Sequence, residues 1–290
     1  MQAGNETNSQ KVKRRRSNRW FFWLPLSMLL ALLAFGAFSN GQVVVNLQLR
    51  NEPPSLTHIF GTDWLGRDLF FRTMSGLTRS LTIGLFAALF STLLAVTFGI
   101  LSWWHIRIDT VIVWVADLLL SLPHLVMLLL LSFAMGGGLK GLIIGLTLTH
   151  WPKLYRLLRS EILQINEEPF IHVSKQLGKT KAWIAGNHIV ILLLPQIVVG
   201  FVLMFPHAIL HEAAITFLGF GLPPEQPAIG SILSEAMGFL TAGIWWMAVF
   251  PGLILLATVL SVDWYGRLLG EQLKVKGGQH HDRETKSSSF

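Results

Sequence analysis

Long apolar runs separated by short polar segments dominate this chain. A hydrocarbon core ~30 Å thick requires about 20 apolar residues per helix, and such runs occupy residues 20–38, 81–104, 111–135 and 244–264. The third carries Asp117 near its start and the last ends beside Asp263. A fifth run, 184–210, is interrupted by Pro195 and Pro206, which membrane helices tolerate where neighbours satisfy the freed carbonyls. A sixth, 139–151, is short and reaches full length only by continuing through Pro152 into Lys153, Leu154 and Tyr155. The pattern predicts an all-α integral membrane protein of about six transmembrane helices.

Composition agrees with that reading. The 290 residues are 52% hydrophobic and 13% charged, with a mean hydropathy of +0.53, outside the range of soluble domains. The net charge of +7 lies in short segments between apolar runs rather than on a folded basic face, so nucleic acid is not an expected partner and membrane lipid is. The lysine and arginine bias of loops sets orientation. On six helices, basic residues gather in the N-terminal tail, in 152–183 and in the C-terminal tail, with only Arg50, Arg67, Arg72, Arg79 and Lys140 on the opposite side. Both termini are therefore expected in the cytoplasm of a multi-pass plasma (inner) membrane protein. The first apolar run exceeds the ~7–15 residues of a signal-peptide core and reads as an uncleaved anchor. The absence of cysteine excludes disulfides and thiolate metal sites.

The chain thus divides into a basic tail (1–19), a first transmembrane helix (20–38), an outer segment (39–80), a helical core (81–264) and a C-terminal tail (265–290). Within the outer segment, Gly61, Thr62, Asp63, Gly66, Arg67 and Asp68 crowd two glycines and three charges together. Thr62, Asp63 and Asp68 can cap turns and a helix start, and Arg67 can pair with a carboxylate. The inner segment 152–183 is long enough for a helix outside the bilayer. Asn166 is its expected cap, Glu167 and Glu168 suit its positive end, and Gly178 ends it. Phe170, Val173 and Leu177 share one face, and so short a helix must dock on a partner or on the membrane surface. The outer stretch 211–243, broken by Gly219, Gly221, Pro223, Pro224 and Pro227, suits a re-entrant, cavity-lining segment.

Among ionisable groups in apolar surroundings, Asp117 could serve a proton or ion path, or simply pair with a nearby arginine. His124, His150, His207 and His211 form a second set. His207 and His211 lie four apart on one helical face beside Glu212, a spacing that can hold a transition metal but lacks further ligands, so no metal site is assigned. His280 and His281 belong to the tail. No Gly-Lys-Ser/Thr phosphate loop occurs, so ATP binding is not expected here. No Ser/His/Asp constellation stands in an extramembrane domain large enough to shield a reaction, and the chain is not expected to be an enzyme.

Residues 61–68, the run Glu212 to Gly221 and the run Trp245 to Gly252 resemble the second permease of peptide/nickel-type ABC importers, over residues 56–273. The resemblance implies a type I importer permease fold with 81–264 as its core, a related second permease, two ATPase subunits carrying ATP and magnesium, and an extracytoplasmic substrate-binding protein. No cofactor is implied on this chain. The cargo would be a peptide or a nickel or other metal chelate. Glu168, Phe170, Ile171, His172, Val173, Leu177 and Gly178 would couple the permease to its ATPase, and Asp117, His124, His207 and His211 are candidates for the substrate path. The family's Glu-Ala-Ala-x3-Gly signature falls on His172, Val173, Ser174 and Gly178, so the glutamate is replaced. The family's His-Ile-Leu-Pro falls on His188, Ile189, Val190 and Ile191. The alternatives are an ion-coupled secondary transporter using Asp117, and a membrane scaffold or enzyme.

Overall fold

A computed structural model describes residues 31, 34–36, 38–39, 43–223 and 226–287, with side chains to 273. The basic tail and most of the first apolar run lie outside the described residues. Nine α-helices organise the described residues: α1 (Leu69–Trp104), α2 (Ile106–Ser121), α3 (His124–Ala134), α4 (Gly138–Asn166), α5 (Pro169–Gln176), α6 (Lys181–Ile184) with its continuation α7 (Val190–Phe217), α8 (Ile229–Leu240) and α9 (Trp246–Ser287). A π-helical turn, Ala185–Ile189, joins α6 to α7 into one span, Lys181–Phe217. Among the described residues there is no β-strand, only an isolated bridge between Thr62 and Asp68.

The central helix is α1. Its 36 residues extend about 54 Å at 1.5 Å per residue, well beyond the apolar thickness of a bilayer. It begins at Leu69 rather than at the edge of the apolar run, because the Asp68 carboxylate accepts hydrogen bonds from Phe70 N and Phe71 N at 2.9 and 3.3 Å. This N-cap fixes the helix start where hydropathy gives no signal. Small buried residues, among them Ser80, Gly84, Ala88, Ser91 and Ala95, form a stripe along α1 against which α4 and α7 pack. Lipid offers helices no hydrophobic reason to associate, so close packing through small residues supplies the attraction. Ser91 Oγ donates to Thr147 O at 3.0 Å across the α1–α4 contact.

Two expectations are corrected. The run 111–135 is not one straight crossing: α2 and α3 meet at an angle of 107°. Pro123 lacks an N–H and forces Leu122 out of the helical region, to φ −90° and ψ 149°. Asn166 does not cap the short helix. It ends α4, and its side-chain oxygen accepts from Trp103 Nε1 at 2.9 Å and from Lys175 Nζ at 3.0 Å, while Glu168 occupies the N-cap of α5 with Pro169 in the first turn.

Among the described residues, three helices are long and apolar enough to cross a membrane by themselves, and a fourth span results if the bent α2–α3 pair counts as one. The short run 139–151 lies within the continuous 29-residue α4, Pro152 included. Leu85, Leu89 and Leu93 of α1, Leu194 of α7, and Leu253, Leu256 and Leu260 of α9 are exposed. Their spacing makes apolar outer faces on the bundle. In water such faces would aggregate; in lipid or against another membrane subunit they are at home.

Candidate functional site

Three regions contain the residues singled out in the sequence. The first is the turn preceding α1. Asp63 is fully buried, and both its oxygens are used: Oδ1 accepts from Leu65 N and Arg67 N at 2.9 and 3.0 Å, and Oδ2 from Arg67 Nε and Arg72 Nη1 at 2.7 and 3.0 Å. Arg72, also fully buried, reaches on to Glu235 Oε1 of α8 at 2.6 Å. Trp64 Nε1 donates to the other Glu235 oxygen at 3.1 Å. Burial alone would raise the Glu235 carboxyl; the hydrogen bond and charge of Arg72, with Trp64 and Arg67, outweigh it and hold the group below the usual glutamate range.

The surrounding loop is equally well tied. Thr62 Oγ1 donates to Leu49 O and accepts from Glu52 N, at 2.5 and 2.8 Å, and Trp246 Nε1 donates to Thr62 O at 3.2 Å. His58 Nδ1 lies 2.8 Å from Asp68 Oδ2. Gly66 has φ +71°, and a Cβ there would collide with the Asn46 carbonyl, so the turn closes only around glycine. Gly61 contributes its carbonyl to Leu69 N at 3.0 Å. The network fastens the 43–68 loop, α1, α8 and the start of α9 together. Arg72 and Glu235 were not singled out as site residues in the sequence, although Glu235 is the lone charge in a largely apolar stretch.

The second region is α5. Its amphipathic pattern separates two faces. Ile171 and Ser174 are buried against the rest of the chain, with Ser174 Oγ 3.2 Å from His188 Nε2. On the other side Phe170, Val173 and Leu177 are 40, 52 and 71% exposed. His172 is exposed beside them, and Glu168 is half-buried at the N-cap. Gly178, at φ +72°, ends the helix, with Lys179 N donating to Ser174 O at 3.1 Å. This is a left-handed C-terminal cap.

The third region lies within the bundle. Asp117 of α2 is exposed and paired with Arg156 of α4, so it is not a carboxylate isolated in an apolar path, and nothing here supports ion coupling through it. The structure does not bring His207 and His211 into one site; His207 is exposed. It brings together instead His124, the first residue of α3, His150 of α4 and His211 of α7, whose ligand nitrogens all lie within 4.8 Å of one another. Glu212 is buried and accepts from Thr216 Oγ1 at 2.8 Å. Gly219 and Gly221 lie in the turn that follows α7.

Known proteins share the fold of the bundle. The bundle superposes on one chain of the inward-facing MetNI methionine ABC transporter with a TM-score of 0.55 at 15% identity, covering 71% of this chain and 97% of that one. It superposes on a chain of an amino acid ABC transporter solved with histidines at a TM-score of 0.51 and 17% identity, covering 70 and 93%. These likenesses establish the fold as that of type I importer permeases. In sequence the chain is 33% identical to a protein of Brucella suis biovar 1 that carries the name of a peptide transport system permease, over 93% of this chain and 92% of that protein. It is 32% identical to the dipeptide transport system permease protein DppC of Bacillus subtilis, covering 87 and 79%, and 31% identical to the oligopeptide transport system permease protein OppC of the same organism, covering 94 and 95%. Residues 80–275 match the family described as binding-protein-dependent transport system inner membrane component. That match covers most of the chain, α5 and the three clustered histidines included, and this chain is a member of that family, a multi-pass permease subunit of an ABC importer.

Proposed function

We propose that this permease forms half of the membrane pathway of an ATP-driven importer for peptides, beside a second permease, with both termini in the cytoplasm. The names of the relatives, DppC and OppC among them, support peptides as the cargo class. An extracytoplasmic binding protein delivers the cargo, and two ATPase subunits bind ATP and magnesium. The observation that carries the coupling mechanism is the divided surface of α5: Ile171 anchors the helix to its own chain while Phe170, Val173 and Leu177 stand out. An eight-residue helix with an open apolar face fits the helix-in-groove mode of recognition. Closure of the ATPases then moves α5, and α5 moves the bundle through α4 and the α6–α7 span on either side of it.

The test is uptake and ATP hydrolysis of the reconstituted complex, measured together. Phe170→Ala removes a contact worth ~2 kcal/mol or more where such a residue anchors an interface. Uptake should fall sharply and the stimulation of ATP hydrolysis by loaded binding protein should vanish, while docking of that protein persists. His172→Glu should leave both activities near the unmutated level, because His172 sits at the rim of the face. Unchanged uptake and hydrolysis in Phe170→Ala would overturn the assignment.

A further inference from the structure

The three-histidine cluster is used by neither the coupling surface nor the ion-paired turn. Its members come from three helices and from positions far apart in sequence. His150 Nδ1 lies 2.8 Å from the Leu146 carbonyl oxygen. A carbonyl can only accept, so Nδ1 carries the hydrogen and Nε2 keeps its lone pair. A hydrogen bond from the far ring nitrogen to a carbonyl orients a metal-binding imidazole and sets its tautomer. That Nε2 lies 3.3 Å from His211 Nδ1, a hydrogen-bond contact that an ion between the two rings would replace. Two ligands of a tetrahedral ion with bonds of about 2.0–2.1 Å stand roughly 3.3–3.4 Å apart, so the pair already has the separation of one tetrahedral edge. The third member, His124, has its Nε2 buried with no hydrogen-bond partner, and its ring centroid is 4.8 Å from that of His150 and 4.3 Å from that of His211. A histidine serving only to fill space would normally satisfy a buried nitrogen.

We infer that His124, His150 and His211 form a three-imidazole site for a divalent transition ion of the zinc, nickel or cobalt class. The ligand set is all nitrogen, which suits those ions and disfavours magnesium and calcium. A three-histidine set leaves a fourth position for water or a ligand atom. The ion would fasten α3, which begins at the Pro123 break, to α4 and α7. The site does not depend on peptides being the cargo, because it is built entirely from this chain.

The experiment uses the assembled transporter, purified without a polyhistidine tag and with His280 and His281 changed to Ser, and titrates it with cobalt(II). The readout is the visible d–d absorption of four-coordinate cobalt, followed by displacement with zinc. One cobalt per copy of this chain is expected. Each of His124→Asn, His150→Asn and His211→Asn should weaken binding by at least about tenfold, whereas His207→Asn, one helical turn away, should leave it unchanged. Assembly of each variant is checked by size-exclusion chromatography. Three separate ligand variants keep the result readable if one of them fails to assemble. The inference is overturned if the parent complex shows no stoichiometric cobalt band, or if the assembled ligand variants bind as the parent does.

Discussion

At the turn before α1, Asp63 and Arg72 are buried against each other and every Asp63 oxygen is occupied; at α5, Phe170, Val173 and Leu177 stand uncovered. Both stretches are short, polar interruptions of an apolar chain; the first is one of the segments that carry the family resemblance, and the second is where the family signature departs, at His172. They differ in where their partners lie. The 61–68 turn finds its partners within the chain, in Arg72, Glu235 and Trp246, so it is a structural clamp. On α5, among the described residues, Phe170 touches only the edge of its own chain at His188, with ring centroids 5.5 Å apart, and Val173 and Leu177 stay open, a face that fits the proposed ATPase contact. One motif thus acts on stability, and the other is open for the coupling role proposed for it.

This contrast is open to attack at the clamp first. Asp63→Ala leaves Arg72 as a buried cation facing only Glu235, and breaking a buried pair in this way typically costs about 3–5 kcal/mol. The expected result is a large fall in thermal stability and folded yield, seen as early loss of the monodisperse peak in detergent on heating. Stability unaffected by Asp63→Ala would mean that the turn is not a clamp.

A smaller effect follows from Glu235. Its carboxyl is held below the ordinary value of 4.5 in the folded chain. A depressed folded value stabilises the protein fully above the unfolded value and is lost as pH falls through the folded one. Melting temperature should therefore drop as pH is lowered below about 4.5, and Glu235→Gln should flatten that part of the profile. An identical acid limb in the variant would remove Glu235 from the network. The smallest effect on stability is expected from Phe170→Ala, since its side chain is already 40% exposed, and the isolated permease should melt within a degree or so of the unmutated chain.

How much of this was legible in the sequence varied with the range of the interaction. The place of α5 followed from local chemistry: Gly178 supplies the left-handed cap, and the apolar spacing gives the exposed face. The start of α1 was missed by hydropathy because Asp68, not lipid, sets it. The break at Pro123 was present as a residue but lay inside an uninterrupted apolar run, where periodicity cannot show a bend. The histidines were legible least. Spacing along one helix favoured His207 with His211, whereas packing of α3, α4 and α7 joins His211 to His124 and His150. Arg72 and Glu235 are 163 residues apart, and no local pattern connects them.

Under the proposed coupling role, an ATPase and not lipid covers the open face of α5. The chain has no cysteine, so Val173→Cys introduces a single thiol into it, and a membrane-impermeant maleimide can report its accessibility in inside-out membrane vesicles, with the partner subunits made cysteine-free. The measurement compares labelling of Val173→Cys with the ATPase subunits assembled and after they have been stripped. Protection is expected in the assembled complex, and full labelling once the ATPases are removed. Equal labelling in both states, or protection that persists in the stripped membranes, would contradict it.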